Sequence, residues 1–435
     1  MKNMMKKTLV SALALFLLAG CGLAPSVSAE TAGTTGDSEA ALLSAAAATV
    51  SERDASGDYD AADAVRLSPE DDLTITDAGV YILSGEYAGE MIVVDAGDEA
   101  KVQLVLENAD ITNENGPAIY VRSADKVFIT AAGGTENSIA DGTDYSFTDG
   151  ETTPDAALFS KADLTINGSG SLTVTGNCKH GIVSKDELVV TAEDLTISAA
   201  NVGLNGKDAV VLSGASVNIT AGTDGIRSDN GEDAEKGTVA LLSSQVTIAA
   251  GSDGIQAETD FAEENSSVTI QSGDDGIHAN DNIEISGGTL NITGAEGIEA
   301  TGILISGGEI TIQATDDGIN AAWKSGTDTP VVEISGGTIT ITMGAGDTDG
   351  IDSNGDLIIS GGTISINASS PFDCDGSVSF TGGTVVVNGQ QVSTIPNQMM
   401  GGMGGRGGMG GFGGQGGMGG QGGFGGHGGP RGQAF

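Results

Sequence analysis

The chain has 435 residues, with 60 Asp and Glu residues against only 17 Lys and Arg residues, so its formal net charge at pH 7 is −43. Binding of phosphates needs a basic face, which this composition excludes, so nucleic acid is not expected as a partner. So acidic a chain also repels other polyanions unless cations intervene. The three cysteines are too few to form a disulfide framework.

The first 21 residues have the pattern of a targeting segment. Three lysines precede an apolar stretch over residues 8–19, which is too short to span a bilayer as a helix. The tetrapeptide Leu-Ala-Gly-Cys at residues 18–21 then follows the pattern of a bacterial lipoprotein signal. It predicts a lipid on Cys21 and an extracellular protein anchored to the cell membrane. Cleavage after Val-Ser-Ala at residues 27–29 is the alternative, and it would release a secreted protein.

Composition then changes along the chain. Residues 22–63 are rich in Ala, Ser, Thr, Gly and Asp, and we predict a flexible linker there. Strand-like segments run from residue 64 to about residue 395, and the irregular ones at the start are expected to cap the domain. Residues 396–435 form a tail rich in Gly, Met and Gln, which is predicted to be disordered because it cannot bury enough apolar surface.

Within the predicted domain, the tripeptide Asp-Gly-Ile, or once Glu-Gly-Ile, recurs in steps of mostly 21 or 22 residues. A fixed period of this length, broken by occasional insertions, is typical of a solenoid in which each repeat forms one coil. Weaker copies lie at residues 180–182 and 202–204, and Asp375-Gly376 is aligned as a last one. The six clear copies lie at residues 224–226, 253–255, 275–277, 296–298, 317–319 and 349–351.

The second half of each repeat predicts strands. Residues 285–292 (Ile-Ser-Gly-Gly-Thr-Leu-Asn-Ile) recur with small changes at 305–312, 334–341 and 359–366. Alternation of β-branched and polar residues with period two indicates strands with one buried face, Ile inward and Thr outward. Three short strands per coil, each paired in parallel with the next coil, predict an all-β, single-stranded parallel β-helix. A β-sandwich is disfavoured, because hairpin strands have no reason to repeat the same segment at a fixed period.

Several of these segments resemble one protein family. They are residues 117–121, 124–127, 168–174, 181–186, 203–208 and 224–229, and the resemblance covers roughly residues 66–388. The family is that of the secreted bacterial "carbohydrate-binding domain-containing" proteins, which are related in fold to polysaccharide lyases. The resemblance implies a right-handed β-helix, bound Ca²⁺, and attachment to plant-type polysaccharides such as polygalacturonate or cellulose.

The repeat also aligns acidic residues. Equivalent positions of neighbouring coils lie about 4.8 Å apart, and unit negative charges at that spacing repel by about 1 kcal/mol per neighbour even in water. Ca²⁺, with six to eight flexibly arranged oxygen ligands, relieves this repulsion better than Mg²⁺. Alternatively, each carboxylate caps backbone N–H groups of its own turn, while the glycine supplies a positive φ. The predicted metal ligands are Asp224, Asp253, Asp275, Glu296, Glu299, Asp317, Asp349 and Asp352.

The few basic residues are aligned as well. Arg122, Lys161, Lys185 and Lys207 occupy one position on four successive coils. They form either a strip that binds sugar carboxylates or an internal row of salt bridges, which contributes little when exposed.

The main hypothesis is therefore a monomer that binds polysaccharide at the bacterial cell surface with the help of Ca²⁺. One alternative is a calcium-dependent, pectate-type lyase in which Lys185 or Lys207 is the base. A non-catalytic role is favoured, since no single coil combines several acids with a lysine. Another alternative, based on the outward Thr rows, is a structural adhesin or an ice-binding solenoid. Trp323 lies in an insertion over residues 322–330, where it either anchors the loop or stacks on a sugar.

Overall fold

The computed structural model describes residues 35–71, 73–145, 147–150, 152–324, 328–345 and 348–395. The predicted signal segment with Cys21 and the predicted tail over residues 396–435 lie outside the described residues. Within the described ranges, neither helix is long and apolar enough to cross a membrane.

Two helices precede a long series of strands. The helices are α1 (Thr35–Thr49) and α2 (Glu52–Ser56). The strands, in chain order, are β1 (Val65–Leu67), β2 (Thr74–Ile75), β3 (Gly79–Ala88), β4 (Ile92–Asp95), β5 (Lys101–Asn113), β6 (Ile119–Ser123), β7 (Lys126–Ala131), β8 (Glu136–Asp141), β9 (Ala156–Ser160), β10 (Asp163–Asn167), β11 (Ser171–Gly176), β12 (His180–Ser184), β13 (Glu187–Val190), β14 (Asp194–Ala199), β15 (Leu204–Gly206), β16 (Ala209–Ser213), β17 (Ser216–Ala221), β18 (Ile226–Ser228), β19 (Thr238–Leu242), β20 (Gln245–Ala250), β21 (Ile255–Ala257), β22 (Phe261–Glu264), β23 (Ser267–Gln271), β24 (Ile277–Ala279), β25 (Asn282–Ile285), β26 (Thr289–Gly294), β27 (Ile298–Ala300), β28 (Gly302–Ile305), β29 (Glu309–Ala314), β30 (Ile319–Ala321), β31 (Val331–Ile334), β32 (Thr338–Met343), β33 (Asp349–Ser353), β34 (Asp356–Ile359), β35 (Thr363–Asn367), β36 (Ser370–Cys374), β37 (Val378–Phe380), β38 (Thr384–Val387) and β39 (Gln390–Val392).

These strands wind into a parallel β-helix, which confirms the predicted fold class. In the described residues, 13 strands form a narrow sheet and 26 strands form a wide sheet. The narrow sheet consists of β2, β4, β6 and every third strand from β6 to β36. A typical coil contributes one strand to the narrow sheet and then two to the wide sheet, as β24, β25 and β26 do. Pairing is parallel throughout both sheets, except that β39 pairs antiparallel to β38 at the C-terminal end.

Side chains of like character stack from coil to coil. The isoleucine that follows each repeat glycine is fully buried, and Ile277 pairs with Ile255 on one side and Ile298 on the other. In the wide sheet, strands such as Thr338–Met343 alternate strictly between exposed and buried residues. Isoleucine therefore points inward and threonine outward, as the period of two predicts.

The repeat glycines are required for a reason that the sequence did not show. None of the aligned glycines, from Gly181 to Gly350, has a positive φ, so the positive φ expected from turn chemistry is wrong. The coils instead approach each other too closely for a side chain. A Cβ atom on Gly203 would lie 2.5 Å from Cγ2 of Ile219 and 2.7 Å from the carbonyl oxygen of Gly225 on the next coil.

The last aligned repeat is also corrected. Ser370 pairs with Asp349, and Phe372 pairs with Ile351. Asp375 and Gly376 therefore lie beyond the strand, and the proline of the Ser-Pro-Phe segment takes the glycine position. The predicted N-terminal cap strands pair in parallel with the following coils, with register shifts between Leu83 and Gly85 and between Val94 and Asp95.

Part of the segment predicted as a flexible linker packs on the domain. Helix α2 begins with a capping box between Ser51 and Asp54. The buried carboxylate of Asp54 lies 2.8 Å from Nζ of Lys126 and accepts a hydrogen bond from Thr165. Helix α1 covers an outward apolar patch of the wide sheet that includes Val211. Alanine-rich segments have high helix propensity, but α1 has no single apolar stripe that would have marked it as a packed helix.

We expect Gly203→Ala to lower the free energy of unfolding by about 1–3 kcal/mol, because the added methyl group overpacks the contact between coils. Gly344→Ala is the matched control, since its Cβ would lie no closer than 3.4 Å to another atom. Thermal unfolding followed by circular dichroism measures both. Equal melting temperatures for the two variants would show that close coil packing is not the reason for the glycine.

Candidate functional site

Two rows of side chains run along the narrow sheet. The first, here called the turn row, consists of the residues that precede the repeat glycines. Backbone hydrogen bonds connect its members from coil to coil: the N–H of Gly254 donates to the carbonyl of Asp275 at 2.9 Å, and that of Gly276 to Glu296 at 3.0 Å. The turn row consists of Asp224, Asp253, Asp275, Glu296, Asp317 and Asp349.

The second row, here called the outer row, consists of the residues that follow the buried Ile, Leu or Phe in the narrow-sheet strands from β6 to β36. The strand register aligns its members one coil apart. Its N-terminal members are aromatic or apolar, and its C-terminal members are mostly acidic. From the N-terminal end, the outer row is Tyr120, Phe159, Val183, Asn205, Arg227, Gln256, His278, Glu299, Asn320, Asp352 and Asp373. Because turn-row residues precede outer-row residues by three positions, the two rows lie side by side on each coil.

Crowding of the carboxyl groups changes their ionisation. Burial, together with the charges of Asp317 and Asp349, raises the pKa of Asp352 to about 7. Burial raises the pKa of Asp317 to about 6 even though its carboxylate accepts a hydrogen bond from the Asp349 N–H. Burial and the charge of Asp275 raise the pKa of Asp253 to about 6. Each of these groups therefore resists losing its proton, as expected for carboxyl groups that are partly buried and also close to other negative charges.

One coil places an imidazole, that of His278, among these acids. Nδ1 of His278 lies 2.7 Å from Oδ2 of Asp275 on its own coil and 3.1 Å from Oε2 of Glu299 on the next coil. Burial opposes the charged imidazolium, but the hydrogen bonds to Asp275 and Glu299 raise the pKa of His278 to about 10. Burial raises the pKa of Asp275 despite its bond to His278, whereas His278 and Lys324 outweigh burial and lower the pKa of Glu299.

Asn320, on the coil after that of Glu299, has a side-chain oxygen that no donor of the described structure satisfies. Nδ2 of Asn320 donates to Glu296 at 3.0 Å and to Glu299 at 3.1 Å, so this amide bridges the two rows. Its Oδ1 is buried and accepts no hydrogen bond in the described structure. A buried amide oxygen without a donor is costly, unless a cation or a water molecule satisfies it. Burial raises the pKa of Glu296 to about 8, with a further contribution from the charge of Glu299.

The predicted metal residues therefore lie on one face, but they are not equivalent. Six form the turn row, while Glu299 and Asp352 belong to the outer row. Asp224 is paired with Arg227 at 3.3 Å, which separates it from the acidic end of the face. Two carboxylates cap backbone N–H groups as the alternative predicted, although the donor is in the next coil: Asp253 accepts from Asp275 and Asp317 from Asp349.

The aligned basic residues are mostly paired within the chain. Arg122 and Lys161 both contact Asp149, at 2.9 Å and 3.5 Å, and Arg122 also contacts Asp95. Lys207 lies 3.6 Å from Glu232. Among the described residues Lys185 makes no ion pair, and its Nζ lies 5.6 Å from the centre of the Phe159 ring. The salt-bridge interpretation thus describes three of the four residues.

Sequence reasoning missed the lysine that reaches the acids. Lys324 lies in the insertion after β30, where its backbone N–H donates to Thr301 and its ammonium group binds Glu299. One coil region therefore does combine several acids with a lysine, contrary to the expectation from spacing. The neighbouring Trp323 has 59% of its surface exposed, so it does not anchor the loop by burial. Lys324 was missed because it lies in an insertion, outside the repeat register.

The raised pKa values predict that the metal-free protein becomes less stable as pH rises. Unfolded carboxyl groups ionise near pH 4, whereas Asp253, Asp317, Asp352 and Glu296 do so between about pH 6 and 8 in the fold. The stabilisation is complete below about pH 4 and lost by about pH 8, because the folded state binds more protons in this window. Melting temperatures measured in chelator from pH 4 to 8 should fall. A melting temperature that rose toward pH 8 would contradict the carboxyl crowding.

Comparison with known proteins places the chain in a family. A model of the family described as "Carbohydrate-binding domain-containing protein" matches residues 69–274 and 263–391. A protein of that description from Acetivibrio thermocellus is 35% identical over 131 residues, which is 30% of this chain and 46% of the relative, so the match spans about half of the relative's length.

A solved structure described as the polysaccharide lyase-like protein from C. thermocellum, gadolinium derivative, is 36% identical. The match covers 49% of this chain and 86% of that one, with a TM-score of 0.48. Because the family model spans most of the β-helix, the chain belongs to the carbohydrate-binding domain-containing protein family.

Proposed function

We propose that this protein binds an acidic polysaccharide, with the help of Ca²⁺, along the C-terminal half of its narrow sheet. The observation that carries the proposal is the row of crowded, partly buried carboxyl groups next to the buried, unused amide oxygen of Asn320. Family membership supports carbohydrate as the ligand class. Polygalacturonate, whose uronate groups would share Ca²⁺ with the carboxylates of this chain, fits the acidic face better than cellulose.

The residues fit Ca²⁺ best on the coils of Asp317 and Asp349. Asn320 and Asp352 occupy opposed positions of neighbouring strands, and the Asp317 carboxylate contacts the Asp349 N–H. Asp317, Asp352 and the Asn320 amide supply oxygen ligands only, which is the preference of Ca²⁺. A bound dication would satisfy the amide oxygen and offset both the burial and the neighbouring charges that raise the pKa of Asp352. Its remaining ligands would come from water or from sugar oxygens.

The sugar contacts would come from the insertion. Trp323 has a largely exposed ring, next to Lys324, which binds Glu299 of the acidic face. An exposed indole beside a polar binding face provides a stacking surface for a sugar ring, and an aromatic residue at such a place supplies large contact area. Of the basic row, Lys185 is the residue whose charge is not already paired within the described structure, so it is the candidate for a distant uronate contact.

We expect Asp352→Asn to lose most of its retention on polygalacturonate in the presence of Ca²⁺, because the change removes the negative charge of one proposed oxygen ligand. Glu309→Gln is the matched control, since Glu309 is exposed on the wide sheet. Retention is measured by affinity electrophoresis with Ca²⁺ and then with chelator. Calcium-independent retention of wild type, or equal retention of the two variants, would refute the proposed use of Ca²⁺.

The calcium-dependent lyase is the second candidate, because Lys324 places an amine beside Glu299. In that reaction a base removes the proton α to the uronate carboxylate, the bond to the leaving sugar oxygen breaks, and an unsaturated product forms. Incubation with polygalacturonate and Ca²⁺ should give no rise in ultraviolet absorbance if the protein only binds. A rise that disappears in Lys324→Ala, Lys185→Ala or Lys207→Ala would establish the lyase and identify its base.

We further propose that a lipid on Cys21 anchors the protein at the cell surface. The lipoprotein-type sequence at residues 18–21 supports this location. Cys21→Ala should then move the protein from the membrane fraction to the soluble fraction of cells that express it. An unchanged distribution would favour the alternative cleavage after residue 29.

A further inference from the structure

We propose that Asp275, His278 and Glu299 form a second metal site, specific for a transition-metal dication such as Zn²⁺ and distinct from the all-oxygen calcium site. One ligand atom from each residue lies within 4.8 Å of the others. Asp275 and His278 come from the same coil, on either side of β24's first residue, and Glu299 is the cross-strand partner of His278. A metal here would connect two coils.

The hydrogen bond of Nε2, the second ring nitrogen of His278, determines whether Nδ1 presents a hydrogen or a lone pair to the two carboxylates. Nδ2 of Asn280 donates to the carbonyl of Glu258 at 3.0 Å, which leaves the Asn280 Oδ1 as an acceptor. That oxygen lies 3.3 Å from Nε2 of His278, so Nε2 carries a hydrogen. In the neutral ring, Nδ1 then presents a lone pair to Asp275 and Glu299. Only a proton or a metal cation can lie between three such groups, and an outer-shell oxygen of this kind is typical of metal-binding histidines.

Ligand chemistry selects the class of metal. An imidazole nitrogen suits Zn²⁺, Cu²⁺ or Ni²⁺, whereas Ca²⁺ takes oxygen ligands. The ligand atoms lie 2.7 Å and 3.1 Å from Nδ1, close to the separation of about 3.3 Å that tetrahedral coordination at ~2.0–2.1 Å requires. Three protein ligands leave a fourth position for water or a sugar oxygen. Lys324 contacts the other oxygen of Glu299, Oε1, so it does not occupy the ligand position.

Within the described residues, the positions of Asp275, His278 and Glu299 can be compared with the equivalent positions of the neighbouring coils. The same three places are Asp253, Gln256 and His278 one coil earlier, and Glu296, Glu299 and Asn320 one coil later. Neither set places an imidazole between two carboxylates in the same arrangement. The coil of His278 therefore differs from both neighbouring coils, because it places a nitrogen between two carboxylates.

The test is metal binding by the full-length chain in the absence of glycan, so that its outcome does not depend on the proposed function. Titration with Co²⁺, followed by its visible absorption, and competition with Zn²⁺ should show one site that survives an excess of Ca²⁺. His278→Gln should weaken Zn²⁺ binding at least 100-fold. Asn280→Ala, which removes the outer-shell oxygen together with the hydrogen bond from Nδ2 to the Glu258 carbonyl, should weaken it about 10- to 100-fold.

Two controls separate this site from others in the chain. His427→Gln removes the histidine of the Gly-rich tail, and Asp352→Asn alters the proposed calcium site. Both should keep Zn²⁺ affinity within about twofold of wild type. If a variant fails to fold, X-ray absorption of the Zn²⁺-loaded wild type still tests the proposal. We expect it to show one imidazole and otherwise oxygen ligands. A shell of oxygen alone, or Zn²⁺ binding that His278→Gln leaves unchanged, would overturn the proposal.

Discussion

The structure depends on one constraint, the parallel pairing of equivalent residues in successive coils at about the 4.8 Å spacing of a sheet. This pairing places each isoleucine on the isoleucine of the next coil, as Ile255, Ile277 and Ile298 show. In the described residues, it gives a continuous apolar column of buried isoleucines. The same constraint requires glycine at the repeat positions from Gly181 to Gly350, since a carbonyl of the next coil lies where a Cβ atom would be.

The same stacking has an electrostatic cost outside the core. Acidic side chains at one position of the repeat cannot move apart, because the backbone hydrogen bonds of Gly254 and Gly276 hold their coils in register. Burial and, after it, the charges of neighbouring carboxylates raise the pKa values of Asp352 and Glu296. A column of buried charge is not explained by the needs of folding, since paired or apolar residues would be more stable there. Such strain is commonly found at functional sites.

Small departures from the repeat divide this face into regions with different chemistry. Arg227 neutralises Asp224, so the acidic end begins only after that coil. His278 supplies a nitrogen to two carboxylates, and Asn320 supplies an amide oxygen beside Asp352. The insertion after β30 then adds Lys324 and the exposed ring of Trp323 at the edge of the same face. A regular scaffold thus presents several groups of polar side chains whose spacing is fixed by the coil rise.

The sequence alone determined the fold class, the three strands per coil and the alignment of both the acidic and the basic rows, because these follow from periodicity. It could not determine contacts that periodicity does not govern. Lys324 reaches Glu299 from an insertion, and Asp54 packs against Lys126 from a segment that resembles a linker. It also could not distinguish a glycine required for turn geometry from one required by a close neighbour, as at Gly203. Only the tertiary structure decided these points, since each depends on atoms that are far apart in the chain and have no fixed spacing in the sequence.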